Sequence, residues 1–361
     1  MKPFLLILIA ALAACDATPP AATTQPAAAP PSVEVTPITV TRDFLGKPPK
    51  PGKAQKPAED LSGVACAPAG LCVLINDENT SAQPTRYDGA SLTPLPSVTL
   101  IKQAATYGAE PKAPCSKTPK WDEKDEMDGE GVAYSAPYFY VVGSHGCSRN
   151  KDEYKSSMFQ LARFELNPDG TPKAAAATTF HLAPWLSGAQ HAGPLFAKPL
   201  LAKDGVEQNG LNIEGLAVVG DDVWLGLRAP SLGDSAYLVK ASLAALFAAT
   251  PGAPTGEVVP LKLGPTVGVR DLARLADGRL LVLAGAAHEE AITPSLWLVD
   301  PNVKGSEVKL HDLTLTGDEA GAEVKAEGLE VVKQEGKTVE VLIVFDGLVN
   351  GRPRREKFTL P

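Results

Sequence analysis

The 361 residues carry 34 Lys and Arg against 42 Asp and Glu, a net charge of -8 at pH 7. That balance argues against nucleic acid as a partner and suits a cationic ligand or a divalent metal. With 44% hydrophobic and 21% charged residues, the chain can bury one sizeable core.

The chain opens on Lys2 and an apolar run from Phe4 to Leu12, too short to span a bilayer as a mature helix. It reads as a signal segment over 1–15. Leu12-Ala13-Ala14-Cys15 resembles a bacterial lipobox, which implies cleavage before Cys15 and a lipid on its thiol. An ordinary signal peptide with a chance cysteine is the alternative. A lipidated chain is anchored in a membrane of the bacterial cell envelope and faces the periplasm. Asp16 resembles an inner-membrane retention signal of enteric lineages, and both membranes stay open. Residues 16–37 are built of Ala, Pro and Thr and have almost nothing to bury, so an extended, disordered tether is expected there. One folded domain then covers 38–361. Lys47, Lys50, Lys53 and Lys56 stand amid prolines as a solvated connector that brushes anionic headgroups weakly at most.

From residue 60 onward one frame recurs five times. It is plainest at Asn212-Ile213-Glu214-Gly215-Leu216-Ala217-Val218-Val219, a turn of Gly220, Asp221 and Asp222, then Val223-Trp224-Leu225-Gly226-Leu227-Arg228. Two apolar runs around a Gly/Asp turn predict a β-hairpin. Symmetry about Asp221 sets Glu214 opposite Arg228. The other copies open at Ser62, Glu130, Asp271 and Glu327, and their second strands close at Asn76, at Ser144 and His145, at Gly285, and near Asp346 after a longer turn over 333–337. Such repetition predicts an all-β fold, a β-propeller. Outer strands are expected at 85–87 and 97–102, 158–166 and 179–182, 236–240 and 258–263, and 295–300 and 308–313. The fifth unit has only 356–360, so a strand from 33–44 is expected to close it. That makes five blades, or six if 185–208 holds degenerate strands. A short helical insertion is possible over 238–249.

Beyond Cys15 four cysteines remain, an even number in a chain sent to an oxidising compartment. The symmetry of the first hairpin sets Cys66 opposite Cys72 as a cross-strand bridge, and Cys115 pairs with Cys147 by elimination. A zinc site is the rival reading, though the spacing is not that of paired zinc knuckles.

In a propeller the first strand of each blade lines the central channel, and crowding there explains Gly131, Gly215 and Gly328 after the carboxylates. Glu130, Glu214, Asp271 and Glu327 are thus expected to ring one mouth. Four such carboxylates repel one another and need a cation, protons or bases nearby. Calcium suits hard oxygen ligands, with Asp128 and Asn212 as extra donors. His145, Arg149, Arg228, Arg270 and His288, with Asp346 at the last hairpin, would fringe the rim and grip a phosphate or carboxylate. The rival role is structural, with each carboxylate accepting neighbouring backbone N–H bonds or pairing with Arg228. His181, His191 and His311 fall on outer strands or loops. No Gly-x-Ser-x-Gly, His-Glu-x-x-His, phosphate loop or dinucleotide fingerprint is present.

Glu130-Gly131-Val132-Ala133 with 138–145, Leu211–Ala217 with 225–230, Val269-Arg270-Asp271-Leu272 with 281–285, and Glu327-Gly328-Leu329 with Asp346-Gly347 resemble the bacterial family catalogued as domain of unknown function 3616. Ala286 and Val344-Phe345-Asp346 depart from the pattern, which more often has proline and Asp-Asp there. The resemblance implies a propeller and supplies no activity. More distantly the pattern is similar to phytase-like esterase propellers and calcium-dependent nucleotidase propellers, whose calcium sits at the channel. The expected function is therefore a monomeric envelope lipoprotein binding a small anionic ligand or an envelope protein, through a channel-mouth metal. The alternative is a calcium-dependent phosphoesterase or esterase-like hydrolase.

Overall fold

The computed structural model describes residues 32–101, 106–112, 115, 127–147, 153–188, 209–250 and 256–361. The chain divides into Met1–Pro30 and Pro31–Pro361, and every described residue belongs to the second unit. The expectations for the signal segment, Cys15, most of the tether, Arg149 and His191 lie outside the described residues.

Five blades built on antiparallel hairpins make up the β-propeller, and the first two add a parallel outer strand, Thr39–Val40 and Thr106–Tyr107. The inner strands are Leu61–Ala67, Gly129–Ser135, Asn212–Val219, Val267–Arg274 and Lys325–Glu335. Their hairpin partners are Leu71–Asn76, Tyr138–Gly143, Asp222–Leu232, Leu280–Ala286 and Thr338–Asp346. Inner strands are covered on both faces, which is why they read as nearly continuous small or apolar residues rather than as an alternation. The core lies between the blades. One cluster joins Val73, Ile75 and Ala65 of the first blade to Val132, Phe139 and Val141 of the second. Equivalent clusters link the second to the third, the third to the fourth, the fourth to the fifth, and the fifth back to the first. At the closest approaches only glycine fits. A Cβ on Gly131 would lie 2.7 Å from Leu216 Cβ and 2.9 Å from the Glu214 carbonyl of the next blade.

The ring closes with strands from both ends of the domain. Glu34–Pro37 pairs antiparallel with Arg354–Thr359 and becomes the outermost strand of the last blade, covering the edge of Arg354–Thr359. The closing strand falls within the 33–44 expected for it, and the expected tether therefore ends before Glu34 rather than at Pro37. Other expectations shift as well. The fourth strand of the first blade is Ser91–Pro94, with Val98–Thr99 returning onto Ser81–Tyr87. In the second blade 156–159 is a 3-10 turn, the strands are Leu161–Phe164 and Ala177–Thr179, and Leu182–Gly188 is helical. Ser235–Ser242 stays a strand before the short helix Leu243–Leu246. The fifth hairpin has longer strands, which pair to Glu335↔Thr338, instead of a longer turn.

Both expected disulfides form, Cys66–Cys72 with Cα atoms 3.9 Å apart and Cys115–Cys147 at 5.7 Å. Among the described residues no helix is long and apolar enough to cross a membrane.

Candidate functional site

Where each inner strand begins, its ladder with the hairpin partner slips by one residue. Leu61 pairs Asn76 and Gly63 pairs Ile75, leaving Ser62 unpaired; the same slip falls at Glu214 and at Glu327. Gly131 and Gly129 pair Val142 and Gly143, which leaves Glu130 out. In the fourth blade the slip lies between Val269 and Asp271, so the extra residue is Arg270. Bulges bend a strand and re-aim the odd side chain. Here they define one ring: Ser62, Glu130, Glu214, Arg270 and Glu327.

The fourth member corrects the sequence frame, which put Asp271 in this ring. Asp271 takes instead the place that glycine holds in the other four blades. It is fully buried, its Oδ1 accepts the Leu272 N–H at 2.8 Å, and its Oδ2 accepts the Leu329 N–H of the fifth blade at 2.7 Å. The Leu216 N–H of the third blade also donates to it. This carboxylate sews three inner strands together.

Arg270 supplies the cation that the carboxylates need. Its Nε lies 2.9 Å from Glu214 Oε2, and its Nη2 pairs with Glu327 Oε1. Arg228 Nη1 lies 3.0 Å from Glu214 Oε1, while its Nε and Nη2 donate to the carbonyls of Ala287 and His288 at 2.8 and 3.2 Å. The paired residues are all at least nine-tenths buried. Glu214 thus does meet Arg228 as the hairpin symmetry expects, although the observed register runs one residue off it and the bulge restores the encounter.

Around this core the rim is acidic. Asp60 and Asp346 form a bridge between the first and fifth blades, and Asp77 follows the first hairpin. Burial, then Asp346 and Glu78, raises Asp60 to about 6. Asp77 is raised well above the carboxylate range by burial and by Asp128, Asp346 and Asp60. Burial, Asp128 and Glu214 do the same to Glu130, with Arg228 opposing. Burial raises Asp346 against Lys325 and Arg270. Lys47 reaches this rim and pairs with Glu78. The sequence reading missed Asp60 and Asp77. Asp60 precedes Ser62 by the same step that separates Asp128 from Glu130 and Asn212 from Glu214, and that repetition is the signal that finds it.

Several buried polar atoms of the mouth have no hydrogen-bond partner among the described residues: Ser62 Oγ, Asn76 Nδ2, Asp77 Oδ1, Asn212 Oδ1 and His145 Nε2. His145 adopts φ 54° and donates from Nδ1 to the Gly143 carbonyl at 2.9 Å. Burial lowers it to about 4, so the ring is neutral with its Nε2 lone pair free. His288 Nδ1 stands 3.5 Å from Glu290 Oε1. Beside it a cavity of about 360 Å³ is lined by Arg270, His288 and Lys325 together with Glu289 and Glu290. The expected calcium ring does not fit: Glu214 and Glu327 hold guanidiniums, Asp271 holds backbone N–H groups, and among the described residues no group of three His, Cys, Asp or Glu is disposed to hold a metal ion. His181 bonds the Leu246 carbonyl and His311 pairs with Glu356 on outer strands, away from the channel.

Among solved structures the chain is similar to the PQQ-bound aldose sugar dehydrogenase of Streptomyces coelicolor, at 12% identity and a TM-score of 0.39, covering 92% of this chain and 99% of that one. It is similar also to a putative 6-phosphogluconolactonase of Bacteroides uniformis, at 12% and 0.37 over 81% and 68%, and to virginiamycin B lyase of Staphylococcus aureus, at 9% and 0.33 over 85% and 70%. At these values the likenesses carry no argument about activity. No curated protein matches the chain. The family model described as protein of unknown function, DUF3616, matches residues 93–169 and 173–360, and the chain belongs to that family.

Proposed function

We propose that this propeller is a binding module of the bacterial cell envelope, held to a membrane through a lipid on Cys15, and that its acidic mouth takes a positively charged group from a small ligand or a partner side chain. One observation carries the reading. Arg228 and Arg270 are both engaged by Glu214 and Glu327, and beside that network burial together with neighbouring carboxylates raises Asp60, Asp77, Glu130 and Asp346. A cation entering beside them relieves that repulsion and gains charge-assisted hydrogen bonds. Ser62 Oγ and Asn212 Oδ1, buried without partners, are further acceptors in the same mouth.

A second reading keeps the anionic ligand expected from the sequence. The cavity beside Arg270, His288 and Lys325 favours it, since these three residues line it together with Glu289 and Glu290. Calorimetric titration of the full chain with putrescine, lysine amide, calcium, acetate and inorganic phosphate separates the two. Heat from the amines that is lost in Asp77→Asn/Asp346→Asn supports the acidic mouth. Binding of phosphate or acetate alone, abolished by Lys325→Gln, supports the second reading. Mass spectrometry of the mature N-terminal peptide tests the anchor, because an unmodified Cys15 would remove it.

A further inference from the structure

At its opposite end the channel opens into a second hollow that no part of the acidic mouth reaches. It measures about 410 Å³, within the range of small-molecule sites, and all five blades contribute to it. Val132, Leu216, Val218 and Leu272 give it an apolar wall. Three charged residues line it, Arg274 from the fourth blade and Glu330 and Lys333 from the fifth, and Lys333 is paired with Glu335. Arg274 is exposed at the rim and has no partner at ion-pair distance among the described residues. The Cys66 N–H of the first blade, pinned by the disulfide to Cys72, donates to the Glu330 carboxyl.

We propose that this hollow is a second binding site, distinct from the acidic mouth, that takes a small molecule with an apolar body and a single carboxylate, the carboxylate lying against Arg274 and Glu330. A guanidinium at the rim of an apolar hollow, with no carboxylate at ion-pair distance among the described residues, decides the class of ligand. Burial raises Glu330 to about 8 even though Arg274 and the Cys66 N–H both favour its ionised form, so at neutral pH it holds its proton. The groups facing it are Arg274 and, more distantly, Asp271, with Lys333 on its own strand and Tyr87 and Tyr134 across the hollow. The site thus offers one guanidinium fork and one carboxyl O–H donor. A carboxylate accepts from both, whereas an ammonium group would meet the positive charge of Arg274 and find the carboxyl already protonated. The small apolar wall suits an aryl or branched alkyl group rather than a sugar or a polyphosphate.

The test is calorimetric titration of the full chain at pH 6.5 with benzoate, phenylacetate and isovalerate, against benzylamine as the cationic control. At least one carboxylate should bind. Arg274→Gln, an exposed change that leaves the core intact, should weaken it by about tenfold or more, the loss of one charge-assisted pair. Glu330→Gln keeps a hydrogen-bond donor and should bind within about threefold of the wild type. Asp77→Asn/Asp346→Asn should leave carboxylate binding unchanged, so that failure of the acidic-mouth reading does not affect this one. The proposal is overturned if no carboxylate binds at millimolar concentration, if Arg274→Gln binds as well as the wild type, or if benzylamine binds more tightly than benzoate.

Discussion

Arg270 decides what the channel mouth is. It stands in the one bulge where the other blades have Ser or Glu, and its guanidinium bridges Glu214 and Glu327 in a buried chain that continues to Arg228. Removing one member of such a network leaves uncompensated buried charge, at a cost of about 3–5 kcal/mol. Arg270→Met should therefore lower the urea midpoint severely, while Arg270→Met/Glu327→Gln should recover part of the loss, because Glu214 keeps Arg228 and no orphan charge remains. Equal destabilisation of the single and double variants would show that size, not charge, is what the site needs. The sequence carried the ring imperfectly. Glu130, Glu214 and Glu327 are each followed by Gly and align at sight, whereas Val269-Arg270-Asp271-Leu272 places an acid one residue late and no Gly at all. Hydrophobic pattern cannot choose between two adjacent polar residues. A bulge can, and bulges leave little trace in composition.

Among the elements, the hairpin symmetry of the first blade was legible enough to pair Cys66 with Cys72, since the ladder there runs unbroken from Gly63 to Ala67. The two bridges should differ in worth. In the chain-entropy model the short loop closed by Cys66–Cys72 contributes about 2 kcal/mol and the longer one closed by Cys115–Cys147 about 3.5 kcal/mol. Denaturant midpoints of the two paired Cys→Ser variants should fall in that order, and the reverse order would refute the loop-length explanation. The outer strands of the first two blades were the least legible. Ser91–Pro94 has no apolar run to announce it and is a strand through its pairing with Ser81–Tyr87, and Leu182–Gly188 continues an apolar stretch as helix. The closing strand gives a sharper test. A chain beginning at Ile38 loses Glu34–Pro37 and bares the edge of Arg354–Thr359, and it should melt lower and aggregate; one beginning at Ser32 should behave as the longer chain does. Matching melting curves for the two would mean that this strand contributes nothing to closure.

For the whole molecule, the raised carboxyls fix the direction of pH dependence. In the folded chain Asp60 holds its proton to about pH 6 and Glu330 to about pH 8, whereas in the unfolded chain both release it in the ordinary carboxylate range. Between those limits the folded state binds more protons, so stability falls as pH rises and levels off above the folded values. The melting temperature should decline from about pH 5 to about pH 8, with Asp60→Asn flattening the lower part and Glu330→Gln the upper part. A profile that rises over this interval would mean that these groups are ionised in the fold. Repetition made the five-bladed plan readable from residues alone, because each blade must solve the same burial problem. The chemistry of the mouth was not readable, because it depends on which charges end up paired.

The acidic mouth is tested most directly by the protons it releases. Putrescine titrated into the full chain at pH 6 in buffers of different ionisation enthalpy should show net proton release, as the cation draws Asp60 and Asp77 into their ionised forms, and the release should vanish in Asp60→Asn/Asp77→Asn. Binding heat independent of the buffer, or no binding at all, would contradict a cation site at this mouth.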